Sequence, residues 1–233
     1  MNSTVPLTPH ASRLTSMKII KTDPVQPECD AIEEIVSILK GGGVIAYPTE
    51  TFYGLGADAA NASAVKRVFE IKGRSFNNPV PLIIGSTAEA PRLAAEIPEA
   101  ARILMDKFWP GPLTLVFKAS GHVLPLLTAG TGKIGIRLSG SAAARETARM
   151  LGRPITATSA NISGAPECSS AEEVKAAIGD MLDAIADGGR TPGRTGSTIL
   201  DVTVHPPAVL REGAVSVQAI RHTLHHRNGK GQG

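Results

Sequence analysis

Two hydrophobic periods alternate along the chain. Short apolar runs at 17–22, 44–47, 82–84, 113–118, 134–138, 155–157, 182–186, 197–202 and 208–211 predict strands. Between them, 31–40, 62–71, 87–93, 100–107, 142–151 and 171–178 carry apolar side chains three and four apart and predict helices. In 31–40 the apolar stripe is Ile32, Ile35, Val36 and Leu39, with Asp30 as N-cap and Gly41 as stop. Asn61 caps the next helix, and Ser170 to Glu173 forms a capping box. Strands interleaved with helices predict an α/β fold. No repeat or linker divides 17–220, which reads as one domain. Residues 1–16 and 221–233 show no apolar period and are expected to be disordered, so His222, His225 and His226 are not read as metal ligands.

The stretch 43–58, GVIAYPTETFYGLGAD, organises the rest. Val44 to Tyr47 is the pattern of a strand buried on both faces, and Pro48 stops its ladder. Thr49, Thr51, Tyr53 and Glu50 then enter a loop in which Gly54 and Gly56 allow a sharp turn or a close ligand. Such a loop at the carboxyl end of a buried strand is where open α/β sheets bind ligands. Threonines that merely bond the turn's backbone would leave the same trace.

Composition narrows the function classes. Of 233 residues 42% are hydrophobic, with one Trp and two Tyr, so the core is aliphatic. A formal charge of +3 is too small for a general polyanion coat, and any anionic partner must meet a local cluster. Cys29 and Cys168 form no Cys-x-x-Cys pattern, which argues for a reducing compartment and against zinc. No apolar run reaches the length of a membrane span and no signal-peptide core is present, so a cytoplasmic location is expected.

Candidate chemistry lies at strand tips. Lys72 and Arg74 leave a helix together, where cations suit the dipole but where Arg74 also offers a planar fork for phosphate; Asn78 follows. Trp109 reads as core, and Thr114 alternates with buried neighbours. The run 129–133 fails as a P-loop, because Leu127 stands where glycine is required and Ile134 follows Lys133. Arg137 ends a central strand and calls for an anionic ligand or an internal acid. Ser159 lacks a nucleophile elbow, so Thr158 to Gly164 reads as a ligand-bonding loop. Arg190 and Arg194 sit in a glycine-rich loop, and Glu50 reads as structural.

Together YPTETFYGLG, KGRSFNNP, FWPGPLTLVF, GIRLSG, TSANISG, GSTILD and VLREGAVS resemble, in order and over about 18–217, the YrdC-like threonylcarbamoyl-adenylate synthases, in their minimal single-domain form. The resemblance implies a single-domain, twisted α/β fold, with a mixed sheet and flanking helices around a deep basic cavity. It implies condensation of L-threonine, bicarbonate and ATP to L-threonylcarbamoyl-adenylate and pyrophosphate; magnesium is expected with ATP on general grounds, though no cluster of carboxylates announces a metal site. A partner transferase would pass the group to tRNA beside the anticodon. The family's Lys-x-Arg and Ser-x-Asn signatures match Lys72, Arg74, Ser159 and Asn161. By the same matching Thr51 contacts threonine, with Lys118 and Arg137 as further cavity residues. Arg74, Asn78, Thr114, Ser159 and Arg211 contact the nucleotide, with Arg194 and Ser197 beside them. A histidine that many members carry after the Asn-Pro is replaced here by the run Val80 to Gly85. A non-catalytic RNA-binding module using the same concavity is the competing reading, disfavoured by few aromatics and low charge.

Overall fold

The chain runs β1 (Lys18–Lys21), α1 (Cys29–Lys40), β2 (Ile45–Tyr47), β3 (Gly54–Gly56), α2 (Ala62–Lys72), β4 (Leu82–Ile83), α3 (Ala90–Leu93), α4 (Glu99–Phe108), β5 (Leu113–Lys118) and α5 (Pro125–Thr128). It continues β6 (Lys133–Arg137), α6 (Ala142–Leu151), β7 (Ile155–Thr156), β8 (Thr158–Ser159), α7 (Ala171–Ile178), β9 (Ala184–Asp187), β10 (Thr198–Asp201), β11 (Ala208–Arg211) and α8 (Val217–Asn228). This is a computed structural model, and it describes residues 17–73 and 78–228. The expected extension 1–16, Arg74 and residues 229–233 lie outside the described residues.

The strands form the expected mixed α/β fold, divided into two mixed sheets. Their orders are β1-β9-β2-β3-β8 and β11-β10-β5-β6-β4-β7. In the first, β9 runs parallel to β1 and β2, and β3 antiparallel to β2 and β8. In the second, β10 is parallel to β5 and β4 to β6, the other pairs being antiparallel. The chain passes between sheets at Ala157, leaving β7 in one and entering β8 in the other. Thr156 stitches that crossing: its Oγ1 donates to Leu55 O at 2.9 Å and accepts from Ala57 N at 2.9 Å, while Tyr47 Oη donates to its carbonyl at 2.8 Å.

Helices bury the stripes that the sequence marks. Ile32, Ile35, Val36 and Leu39 of α1 are buried against β9 and α6, in a core cluster with Ala144 and Ala148. Helix α1 starts at Cys29, earlier than expected; Glu28 occupies the N-cap position, and Asp30 lies in the first turn, where its charge suits the dipole. Asn61 caps α2 as predicted, accepting from Ser63 N and Ala64 N. Trp109 is core, as expected, its Nε1 donating to Leu113 O at 2.7 Å.

Two expectations are corrected. Residues 54–56 are a strand, not a loop, because Tyr47 lies across them: a Cβ on Gly54 would sit 2.7 Å from its Cζ and one on Gly56 2.8 Å from its Cε1. Only glycine lets β3 pair with β2 beneath that ring. Residues 221–228, expected to be disordered, continue α8, which packs on α4. Ile220 is buried and Leu224 packs against the same core, so one apolar pair anchors a polar helix. No helix among the described residues is long and apolar enough to cross a membrane.

Candidate functional site

A cavity of about 620 Å³ opens at the crossing between the sheets, within the usual size range of small-molecule sites. Both sheets line it. Tyr47, Thr49, Thr51, Lys72, Ser159 and Asn161 come from or beside the first sheet, and Pro81, Arg137, Ser197, Ile199 and Arg211 from or beside the second.

Lys72 occupies the last turn of α2, which Gly73 ends in the left-handed region at φ 57°. Its ammonium donates to Ser159 O at 2.7 Å and to Asn161 Oδ1 at 2.7 Å, with Ser159 Oγ at 3.4 Å. Ser159 Oγ donates to Asn161 Oδ1 at 2.7 Å, and Asn161 Nδ2 to Ala165 O at 2.6 Å. Ser163 N donates to Lys72 O, so the loop after β8 is clamped to the helix end. Ser159 and Asn161, 87 and 89 residues from Lys72 in sequence, thus form one cluster with it, in which Lys72 and Asn161 are buried and Ser159 is half-buried.

On the adjoining wall, Thr49 Oγ1 donates to Phe52 O at 2.6 Å and accepts from Thr51 N at 3.1 Å. With its proton used, Thr49 receives the Thr51 hydroxyl at 3.0 Å, and Thr51 presents lone pairs outward. Gly193 N donates to Thr51 O at 2.9 Å, which sets the glycine-rich loop above this wall.

The third wall comes from β5, β10 and β11. Thr114 Oγ1 lies 3.0 Å from Ser197 Oγ. Arg211 Nη2 donates to Ser197 O at 2.8 Å and to Ser197 Oγ at 3.2 Å. Its guanidinium lies against Gly196, where a Cβ would meet Nη2 at 3.0 Å. Arg137 lines the cavity and pairs with Glu50 at 3.2 Å, so the internal acid, one of the two partners open to it, is present.

Of the residues singled out in the sequence, Thr51, Lys72, Asn78, Arg137, Ser159, Asn161, Ser197 and Arg211 line this cavity, and Thr114 stands behind Ser197. Lys118 does not. It ends β5 four residues past Thr114, about 13 Å along an extended strand, and lines a second cavity between α4, α8 and β10. Arg194 is exposed in its loop and is not part of the lining. Glu167 and Phe52 line the cavity without having been singled out. Phe52 sits inside the central motif and could have been read from it, whereas Glu167 carries no pattern signal.

The phenols here are not bases. Burial pushes Tyr53 up to about 12, against the opposing bond from Gly188 N, and burial raises Tyr47 further. Neither phenol therefore serves as a proton acceptor, and Glu167 is the carboxylate among the lining residues.

A family model for Sua5, YciO and YrdC proteins, described as telomere recombination, matches residues 37–213. The threonylcarbamoyl-AMP synthase of Pyrococcus abyssi is 41% identical over 80% of this chain and 55% of its own length. That of Bacillus subtilis is 38% identical over 85% of this chain and 58% of its own. A crystal structure of P. abyssi Sua5 complexed with L-threonine superposes with a TM-score of 0.85 at 39% identity, covering 88% of this chain and 60% of that one. The chain thus spans somewhat more than half the length of these relatives. With the match extending from α1 through β11 and taking in every wall of the cavity, this chain belongs to the Sua5/YciO/YrdC family.

Proposed function

We propose that this chain is an L-threonylcarbamoyl-adenylate synthase that joins L-threonine, bicarbonate and ATP and releases pyrophosphate. The amine of threonine and bicarbonate give an N-carboxylated amino acid with loss of water. Its new carboxylate oxygen attacks the α-phosphorus of ATP as the bond to pyrophosphate breaks, so the step is a nucleotidyl transfer. Both reactants are anions, and catalysis is mainly the work of holding them in line and stabilising charge on the phosphate oxygens.

The observation that carries this reading is the hydrogen-bonded Lys72, Ser159 and Asn161 cluster lining the same cavity as Thr51, Arg137 and Arg211. Lys72 and Arg211 would supply charge to the phosphates, joined by Arg74, which the sequence places next to Gly73. Ser159, Asn161, Asn78, Thr114 and Ser197 would orient the nucleotide, and Thr51 and Arg137 the amino acid. Lys118 and Arg194 are given no contact.

Magnesium is expected to travel with ATP. Among the described residues no group of three or more His, Cys, Asp or Glu side chains stands together to hold a metal, so no step is assigned to it. The product would pass to a transferase acting on tRNA, with contact to tRNA itself indirect, and the cytoplasm is the expected setting.

Pyrophosphate release measured with each substrate omitted tests the proposal. Release is expected to require L-threonine and bicarbonate together, and Lys72→Ala is expected to cut it about 100-fold or more. Release that ignores threonine overturns the assignment.

A further inference from the structure

Glu50 stands between Thr49 and Thr51, both of which line the cavity, yet it is not itself part of the lining. Its two carboxylate oxygens are both engaged by the end of β6 and the turn after it. Oε1 accepts from Arg137 Nη1 at 3.2 Å, and Oε2 accepts from Ser139 Oγ. Arg145 Nη1 donates to Ser139 O at 2.6 Å and so fixes the residue that grips Oε2. Gly140 closes the back of the arrangement, since a Cβ there would lie 3.3 Å from Glu50 Cβ and Cγ.

The Arg137 side chain is only 7% exposed, and the bond to Glu50 is the one its guanidinium makes among the described residues. The one buried side-chain polar atom without a partner among those residues is Thr22 Oγ1. The other guanidinium N–H groups are therefore not sealed in protein, and Arg137 lines the cavity. A guanidinium held on one edge by a fixed carboxylate presents its other edge as a planar fork, which matches a second carboxylate and not an amine.

We propose that Glu50 is a positioning residue that aims Arg137 at the α-carboxylate of the amino acid and ties that arginine to the loop carrying Thr51. The proposal rests on the threonine reading above. Glu50 touches no substrate atom; it acts through the orientation of the guanidinium and through the charge that keeps a nearly buried cation in place.

Calorimetric titration of L-threonine, with steady-state kinetics on Glu50→Gln, tests it. The amide keeps the size and one acceptor but loses the charge. Threonine binding is expected to weaken about tenfold, with KM for ATP changed less than twofold and kcat falling less than KM for threonine rises. Arg137→Lys on top of Glu50→Gln is expected to add much less than it does alone, because the two substitutions remove one interaction. A merely structural role would move ATP and threonine together, and that result overturns the proposal, as does unchanged threonine binding. If Glu50→Gln does not fold, Ser139→Ala removes only the Oε2 contact and is expected to raise KM for threonine about threefold; an unchanged KM there also overturns it. Wild-type protein that binds no threonine refutes the substrate reading itself, whereas equal binding by wild type and Glu50→Gln refutes only the role of Glu50.

Discussion

A methyl group on Gly54 would lie 2.7 Å from Tyr47 Cζ and 2.9 Å from Tyr47 Oη. The ring cannot move aside cheaply: it is buried, and its hydroxyl holds the carbonyl of Thr156 at the crossing between sheets. Gly54→Ala is therefore expected to destabilise the protein by about 2 kcal/mol, read as a lower urea midpoint with unchanged slope. An unchanged midpoint would mean that Tyr47 is not a fixed lid over β3. The glycines were visible in the sequence, but the reason for them was not. A Gly-Leu-Gly run after a proline carries no strand signal of its own, and it becomes a strand only because an aromatic ring from β2 occupies the space that side chains would need. Arg137 shows the same limit. Its position in an apolar strand announced a need for negative charge, but Glu50 lies 87 residues earlier and nothing local joins them.

Elements with strong periods were legible to their ends. Helix α6 and strands β5 and β11 occupy the residues that the pattern marks, because each either carries a full apolar stripe or is bounded by turn residues. Helix α8 was missed beyond Ile220, since among its described side chains only Ile220 and Leu224 join the core, and a two-residue stripe in a histidine-rich run reads as a tail. Ile220→Ala is expected to cost about 3 kcal/mol in urea denaturation, and a cost below ~1 kcal/mol would show α8 to be loosely attached. Strand ends carry part of the pH dependence, beside Asp23 and the first-turn Glu172 and Glu173 of α7, which are also lowered. For Asp201 at the end of β10, burial raises the carboxyl, but Lys133 Nζ at 2.7 Å and the hydroxyl and N–H of Thr203 outweigh it and hold it below its ordinary 3.8. Asp187 at the end of β9 behaves alike: burial raises it, and the bonds from Lys21 and Gly189 N more than offset that. A lowered folded pKa contributes stability that is complete above 3.8 and is lost as pH falls through the folded value. The urea midpoint is expected to fall as pH drops below about 4. Asp201→Asn should lose about 1–2 kcal/mol at pH 7 and show a shallower acid decline; an acid decline as steep as wild type would remove Asp201 from the explanation.

At the scale of the molecule, the feature no local pattern announced is the division into two sheets. Single-sheet and two-sheet arrangements use the same alternation of strand and helix, and the choice is made at Ala157, where one residue separates β7 from β8. The cavity lies at that seam, with Lys72, Ser159 and Asn161 beside one sheet and Arg137, Ser197 and Arg211 beside the other. A ligand that fills it must bridge both, so its binding energy stabilises the sheets together rather than either alone. At 100 times its dissociation constant such a ligand adds about 2.7 kcal/mol to unfolding, which for a chain of this size is a rise of roughly 5–10 °C in Tm. Calorimetric scans with ATP and L-threonine are expected to show a single transition moving upward as one. If instead the protein melts in two steps and the ligands raise only one of them, the cavity belongs to one sheet, and the charges on the far wall, Arg137 and Arg211 first among them, do not act on the same reactants as Lys72.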